Sequence, residues 1–599
     1  MLLNGSKGAD LLVGGGTADQ IFGDEGSDTL IGAAGDDFLQ GNQGADSLEG
    51  GVGADTLLGG QNEDTIIAGS GDDYVHGNLG QDSLGGGSGA DTMLGGQGDD
   101  WLSGGEGGDL IFGDLGNDIL LGDDGDDTLY GGADSDMLLG GNGADVMVGG
   151  DGRDTLSGEL GDDVLIGDDG DDLLLGREGD DSIFGGNGQD HIQGAQGDDY
   201  LHGGAGNDPI HGEAGDDTLV GGAGDDIIEG GEGFDFVSYL NDGLTTGAHV
   251  SLAVQLQNTI TDRGFDNLYF IEGVEGSAYD DFIDGNSSAN ILLGEAGNDH
   301  IWGNGGADTL IGGDGGDYLA VLSAFDVTVN SNGSVLLGEA GNDAMELGRG
   351  DMRAEGGEGE DTFMISNLAG RKIVSGGVGY DVVQFEYRLG VGLEFSSGVT
   401  VNLGITADQE IAQGVVLSLS SIEKIWGSSA ADRITGSASG DTLYGLDGAD
   451  SLNGAAGDDV LGGYQGADTL VGGLGQDSLY GGDGADLFVF RAGDSSRDRA
   501  LADRIGDFRV QSNDRVKFTD GVAATADNFV EIEGADWTTI LTAVGQFFQS
   551  SAVRYVSVTY GADSYLFADT GEEGTTYDSL IVLADITASS TTPDMILGG

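Results

Sequence analysis

The chain has 599 residues, with 108 Asp and Glu against 19 Lys and Arg, for a formal net charge of −89. So acidic a chain repels phosphate, which excludes nucleic acid as a partner, and no apolar run is long enough to span a bilayer as a helix. Cysteine is absent, which removes disulfides and thiolate metal sites.

From Gly5 to Ser238 the pattern G-G-x-G-x-D-x-U-x, with U apolar, runs without insertion or deletion through 26 consecutive nonapeptides. The first position is Gly everywhere except Ala68, and the fourth departs from Gly only at Thr17, Asn62 and Asp134. The eighth is always apolar, from Leu12, Ile21 and Leu30 to Leu219, Ile228 and Val237. Glycine and acidic residues at this density would read as disorder, but regular apolar spacing and a fixed short period predict a solenoid. Its class is all-β, a parallel β-roll in which each unit covers its neighbour's apolar face. The first six positions are expected to turn tightly, with Gly supplying positive φ angles. The last three form a short strand whose middle side chain points inward, worth about 1.5–3 kcal/mol when fully buried. Only two prolines occur, Pro209 and Pro593, which suits long uninterrupted strand pairing.

The sixth position is Asp in every unit of this array. The series begins Asp10, Asp19, Asp28, Asp37, Asp46, Asp55, Asp64, Asp73 and Asp82. It continues through Asp91, Asp100, Asp109, Asp118, Asp127, Asp136, Asp145, Asp154 and Asp163. It ends with Asp172, Asp181, Asp190, Asp199, Asp208, Asp217, Asp226 and Asp235. Equivalent residues of adjacent coils in a parallel solenoid lie about 4.8 Å apart. A bare carboxylate column at that spacing repels itself, and a divalent cation between neighbours reverses the sign. Carboxylates with turn carbonyls make an all-oxygen donor set that suits Ca²⁺, which tolerates six to eight irregular ligands, better than Mg²⁺. Zn²⁺ would need clustered His or Cys, and the six histidines are scattered along the chain.

Units such as "GGQGDDWLS" at 95–103 and "GGAGDDIIE" at 221–229 resemble RTX (repeats-in-toxin, haemolysin-type) calcium-binding repeats. The resemblance implies a parallel β-roll with two nonapeptides per coil and Ca²⁺ ions between turns on the same edge. It also implies ligands drawn from the sixth-position Asp and backbone carbonyls of positions one to four. Asp10 would then share an ion with the turn of Asp28, and Asp19 with that of Asp37.

After Ser238 the period breaks and returns. Residues 276–320 hold five units, with Asp281, Asn290, Asp299, Asp308 and Asp317 spaced by nine. Residues 427–489 hold seven more, carrying Asp432, Asp441, Asp450, Asp459, Asp468, Asp477 and Asp486. Between these arrays "GEAGNDAME", "GGEGEDTFM" and "GGVGYDVVQ" are isolated units around Asp343, Asp361 and Asp381. The expected organisation is a long roll at 1–238, a β-rich connector at 239–275 and a second array at 276–320. An irregular β-rich segment at 321–426, a third array at 427–489 and a C-terminal part at 490–599 follow. "IEGVEGSAYDDFIDG" at 271–285 parallels "IEKIWGSSAADRITG" at 422–436, and each follows a β-prone stretch, "AHVSLAVQL" or "GVTVNLGI". These interruptions read as β-coils without calcium. The segment 484–518, with its D-x-F-V-F and D-x-I-x-D-F elements, resembles the exit from the roll in serralysin-type secreted proteases. The remainder reads as a β cap, and it also looks like the uncleaved C-terminal signal of type I secretion substrates. The N-terminus "MLLNGSKGAD" lacks the features of a cleaved leader, which agrees with type I export. Only "MLLN" precedes the first unit, so an open edge at Leu12 and Ile21 is expected to favour self-association.

No enzyme is expected. There is no H-E-x-x-H, no G-x-S-x-G and no P-loop lysine. His76, His202 and His211 fall on the outward ninth position and His191 on the seventh, which suits a surface role. Two functions compete: a secreted structural or cell-surface protein of the surface-layer, matrix or adhesin kind, or the calcium-binding and secretion module of an extracellular enzyme or toxin. The expected partners are calcium ions, the type I secretion machinery, and further copies of the chain or a cell-surface polysaccharide.

Overall fold

Strand pairing eighteen residues apart organises the chain: Gln20 pairs with Phe38, Ile21 with Leu39 and Phe22 with Gln40, all parallel. The computed structural model describes residues 1–240, 243–253, 259–260, 263–321, 331–366, 369–385, 395, 397–491, 493–496, 500–509, 512–519 and 529–533. It also describes 542, 544, 546, 548, 555–560, 563–568, 579–583 and 596–598. Two units result, Met1–Gly285 and Asn286–Gly599.

In the first unit the chain alternates between two parallel sheets, one nonapeptide in each. One sheet runs from Leu2–Asn4 through Gln20–Glu25 and Phe38–Gln43 to Phe236–Ser238 and Gly273–Glu275. The other runs from Leu11–Val13 through Thr29–Ala34 to Ile227–Glu232 and Asn267–Tyr269. The eighth-position side chains form the core between them, and those of Ile21 through Val237 are at most 1% exposed. Parallel rolls give this thin core because each coil contributes only one large inward side chain per sheet.

The strands are longer than the composition suggests. They span six residues, as in Gln20–Glu25, and take in positions seven to nine and then one to three of the next unit. The turn is therefore confined to positions four to six, not the six positions expected. Position one drops out of the ladder, since Phe22↔Gln40 is followed by Asp24↔Asn42 with Gly23 unpaired. Position two compensates in the left-handed region, at φ 75° for Asp24, 79° for Asn42 and 92° for Arg177. That conformation costs about 1–2 kcal/mol for most residues and less for Asp and Asn, and the bonds on either side impose it. At position four most coils hold glycine for a close approach of backbone to backbone. At Gly125, φ is 151° and an added Cβ would lie 1.4 Å from the Gly107 carbonyl oxygen of the preceding coil.

The first coil is less open than expected. Leu2–Asn4 adds a parallel strand to Gln20–Phe22, so Ile21 is fully buried, while Leu12 is half-buried. At the other end the connector leaves the roll and returns to both sheets. His249–Ser251 pairs with Phe282–Asp284, Asn267–Tyr269 caps Ile227–Glu229, and Gly273–Glu275 caps Phe236–Ser238.

In the second unit, the segment that looked irregular continues the coiling. Thr309–Asp314, Val335–Ala340, Met352–Glu358, Gly370–Val378 and Val415–Ser420 are successive parallel strands of one sheet. A companion sheet runs from His300–Trp302 through Val382–Phe385 and Lys424–Trp426 to Ser478–Asp483. From Thr400–Asn402 to Arg515–Phe518 a third sheet alternates with that companion along the chain. Insertions lengthen single coils without moving the register: Thr309 pairs with Val335 across 26 residues and Met352 with Lys372 across 20. Such insertions erase the ninefold period from the sequence while leaving the ladder intact.

Beyond the roll comes an antiparallel meander, Tyr555–Tyr560, Asp563–Ala568 and Ser579–Leu583, whose last strand pairs with Asp503–Ile505, and Ile596–Gly598 then adds in parallel to Val516–Phe518. Val544, Phe548, Val556, Tyr565, Phe567 and Leu580 give the meander a core of its own. Residues 569–578 and 584–595, on which much of the secretion-signal reading rests, lie outside the described residues.

Candidate metal centre

Alternation between sheets sorts the sixth-position carboxylates of the first unit into two columns. Asp10, Asp28 and Asp46 lead one column to Asp226, and Asp19, Asp37 and Asp55 lead the other to Asp235. Within a column each carboxylate is held by the coil before it. Asp10 N donates to Asp28 Oδ1 at 2.7 Å, Asp145 N to Asp163 Oδ1 at 2.8 Å, and Asp217 N to Asp235 Oδ1 at 3.0 Å. From Asp19 to Asp235 these residues are at most 3% exposed.

The second oxygen is the anomaly. From Asp28 to Asp235 every Oδ2 is buried without a hydrogen-bond partner, and the same holds for Asp308, Asp343, Asp361, Asp381, Asp450, Asp459, Asp468, Asp477, Asp486 and Asp503. A buried carboxylate oxygen left bare is a large desolvation cost. In the nonapeptide units these oxygens face a cradle that glycine keeps open, Ala68 before Asp73 being the exception in the long array: a Cβ on Gly23 would lie 2.5 Å from Asp28 Oδ2 and 2.7 Å from the Gly41 carbonyl oxygen. At Gly158 the corresponding distances are 2.2 Å to Asp163 Oδ2 and 2.8 Å to Gly176 O. Carboxylate and carbonyl oxygens thus converge on the same place in coil after coil. That donor set fits a hard divalent cation of irregular coordination, Ca²⁺ above all. Among the described residues no three or more His, Asp or Glu side chains cluster as a metal site, because each turn offers one carboxylate and the remaining oxygens are backbone.

Burial, reinforced by neighbouring carboxylates, pushes Asp64 and Asp199 up to about 8, and Asp73, Asp100 and Asp163 to about 7. The amide donated by the preceding coil opposes the shift without cancelling it. A column that must be ionised at neutral pH therefore needs a positive charge beside it.

The first coil of each array differs. There the position-two N–H turns inward onto the carboxylate of its own turn: Ser6 N to Asp10 Oδ2, Gly15 N to Asp19 Oδ2, Ser277 N to Asp281 Oδ2, Ser428 N to Asp432 Oδ2 and Ser437 N to Asp441 Oδ2, all at 2.6 Å. Asn286 N meets Asn290 Oδ1 at 2.8 Å in the same way. Position two adopts a positive φ only in later coils, and that rotation takes the N–H away and leaves the oxygen open. Asp299, Asp308 and Asp317 are fully buried in their coils, and Asp450, Asp459, Asp468, Asp477 and Asp486 continue the columns of the third array.

Several column members escape the ninefold count. Asp317 N donates to Asp343, Asp343 N to Asp361 and Asp361 N to Asp381, which brings the isolated units into one column. Asp266 follows Asp226, Asp503 follows Asp477 and Asp514 follows Asp486, across 40, 26 and 28 residues. Asp503 and Asp514 lie in the D-R-I-G-D-F and N-D-R-V-K-F stretches, the signal that could have found them. Position-five side chains form a second series pointing the other way. Asp36 Oδ1 accepts from Ala54 N at 3.1 Å, Asp126 Oδ1 from Ala144 N at 3.0 Å and Asp180 Oδ1 from Asp198 N at 2.8 Å, each one coil later. Two histidines do meet: the His191 and His211 rings are 5.5 Å apart, and His211 Nδ1 is 3.3 Å from Glu229 Oε2.

A parallel roll whose turns stack buried carboxylates against backbone carbonyls defines a repeat protein with hard cations built into its fold. The RTX calcium-binding nonapeptide repeat matches residues 2–30, 22–57, 31–66, 49–84, 85–120, 112–147, 139–174, 148–183, 175–208, 202–237, 274–298, 284–319, 426–461 and 462–496, more than half of the chain. The chain belongs to this family, and its repeats bind Ca²⁺ at many sites. Among solved structures it is similar to the R2 subunit of the AlgE6 mannuronan C5-epimerase of Azotobacter vinelandii, at 26% identity and TM-score 0.20, covering 28% of this chain and 92% of that one. The R3 subunit of the same enzyme matches at 24% identity and TM-score 0.15, covering 28% and 78%. Extracellular lipase LipA of Serratia marcescens matches at 15% identity and TM-score 0.19, covering 53% of this chain and 39% of the lipase. No curated protein sequence matches.

Proposed function

We propose that the chain is an exported structural or cell-surface protein, of the surface-layer, matrix or adhesin kind, whose rolls fold and stiffen on meeting extracellular Ca²⁺. One observation carries this reading: the in-register series of buried Oδ2 atoms without protein partners from Asp28 to Asp235. The ions are held by these Oδ2 atoms and by turn carbonyls of the adjoining coil, and the later columns through Asp450 to Asp486 do the same. At low cytosolic Ca²⁺ the bare columns keep the chain expanded and fit for type I export. Outside, millimolar Ca²⁺ replaces the missing partners, and binding free energy becomes folding free energy.

Circular dichroism and small-angle scattering test the proposal: an expanded chain in chelator should become compact and β-rich in millimolar Ca²⁺. A spectrum indifferent to chelator overturns it. Zymography on casein and alginate addresses the role of the body itself, and hydrolysis by the purified chain would replace the structural reading with an enzymatic one.

A further inference from the structure

The outward ninth position of successive coils in the second unit carries Trp426, Tyr444, Gly462 and Tyr480, aligned by the ladder as neighbours. One glycine thus interrupts an aromatic column. Tyr464 leans in beside the gap from a position-two site at φ 74°. Its ring stands at 88° to that of Tyr444 with centroids 5.4 Å apart, and Trp426 stands at 83° to Tyr444 at 5.2 Å. Tyr480 lies over a second glycine, since a Cβ on Gly506 would be 2.2 Å from its Cε1. The result is a cavity of about 270 Å³ walled by Tyr444, Tyr464 and Tyr480, with Gly462 leaving the space open and Asp507 at its edge.

Carboxylates gather around this box, with Arg509 and Lys424 at its margins. Asp507 is held rigidly, its two oxygens accepting from Gly481 N and Gly482 N at 2.8 Å each. A neighbouring cavity of about 330 Å³ shares Tyr464 and adds Asp447 and Asp483, of which Asp483 pairs with Arg509. The same aromatic column already accepts an ammonium at one end: Lys424 Nζ lies 5.0 Å from the Trp426 ring centroid and 5.4 Å from that of Tyr444. Aromatic faces attract cations through their quadrupole, most strongly where several rings and a carboxylate converge. Tyr464 and Tyr480 remain 46% and 42% exposed, so a ligand reaches them from solvent. Calcium finds too few oxygens here, whereas a cation with an apolar shell matches both the rings and the carboxylates.

We propose that Tyr444, Tyr464, Tyr480 and Asp507 form a cage for an alkylated ammonium group, a binding site separate from the calcium columns. The test uses the full chain saturated with Ca²⁺ at fixed ionic strength. Choline and its uncharged isostere 3,3-dimethylbutan-1-ol are each titrated by calorimetry. Choline should bind at one site, and the isostere at least about tenfold more weakly, the worth of one or two cation–π contacts. Tyr464→Ala should weaken choline by about tenfold and Tyr464→Phe should keep it, with an unchanged calcium midpoint by circular dichroism. If Tyr464→Ala disturbs that midpoint, Gly462→Leu decides, because it fills the gap from below and should abolish binding with every tyrosine in place. Absence of choline binding, equal binding of the isostere, or choline affinity indifferent to these variants overturns the proposal, the last by showing only diffuse attraction to an acidic surface.

Discussion

Protons should substitute for calcium in folding this chain. Asp163 illustrates the size of the effect: burial raises it from 3.8 to about 7 in the cation-free fold. Ionising it inside that fold costs about 4 kcal/mol relative to the unfolded chain, at 1.36 kcal/mol per unit. Because the folded pKa is the higher one, the folded state binds more protons between pH 3.8 and 7, and this contribution to stability is lost as pH rises through the folded value. Asp64 and Asp199 extend the window to about 8. Metal-free protein, freed of calcium by chelation and dialysis, should therefore gain β circular dichroism and compactness as pH falls from about 8 to about 5. Asp163→Asn sharpens the test by having opposite signs in two conditions. Without calcium at pH 8 it removes the buried charge, leaving a neutral amide facing the same cradle as the Gly176 carbonyl. With calcium it removes the proposed ligand and should raise the midpoint. A metal-free chain that stays expanded down to pH 5, or a variant that shifts both conditions the same way, would refute the reasoning.

Calcium binding should release protons at pH 6, seen as calorimetric heats that depend on buffer ionisation enthalpy, and the release should fade by pH 9, where the columns are already ionised. Asp450→Asn should raise the calcium midpoint more than Asp432→Asn, because Asp432 Oδ2 already accepts from Ser428 N at 2.6 Å while Asp450 Oδ2 has no protein partner; equal shifts contradict the open-oxygen assignment. Gly125→Ala should destabilise the roll by several-fold more than Gly8→Ala, as measured by calcium midpoint. The first meets a carbonyl at 1.4 Å, whereas the second has nothing within 4 Å although both occupy position four.

Much of this architecture was legible because two positions of nine carry invariant chemistry. The apolar eighth position announced the core, and the acidic sixth position announced the columns. The length of the strands was hidden, because positions one to three hold Gly, Asp and Asn, residues that read as turn. Only the ladder bonds of neighbouring coils force Asp24 or Arg177 into a left-handed conformation there. Asp266, Asp503 and Asp514 were hidden for another reason: they follow their column partners by 40, 26 and 28 residues, and a count in nines fails once the spacing is no longer eighteen. The contrast between Asp432 and Asp450 was hidden as well, since it depends on which way one position-two N–H points, and Ser428 is the residue that marks it.

Pairing between residues eighteen apart gives the roll a parity. Removing two consecutive nonapeptides from the long array would excise one coil and leave every later residue in the sheet and column it had before. Removing a single nonapeptide would move every later strand to the opposite sheet and every later carboxylate to the other column. The connector would then be met the wrong way round, because Asn267–Tyr269 is built to close on Ile227–Glu229 and Gly273–Glu275 on Phe236–Ser238. Such a roll can grow or shrink only in even steps, so its length is free while its handedness of entry and exit is not.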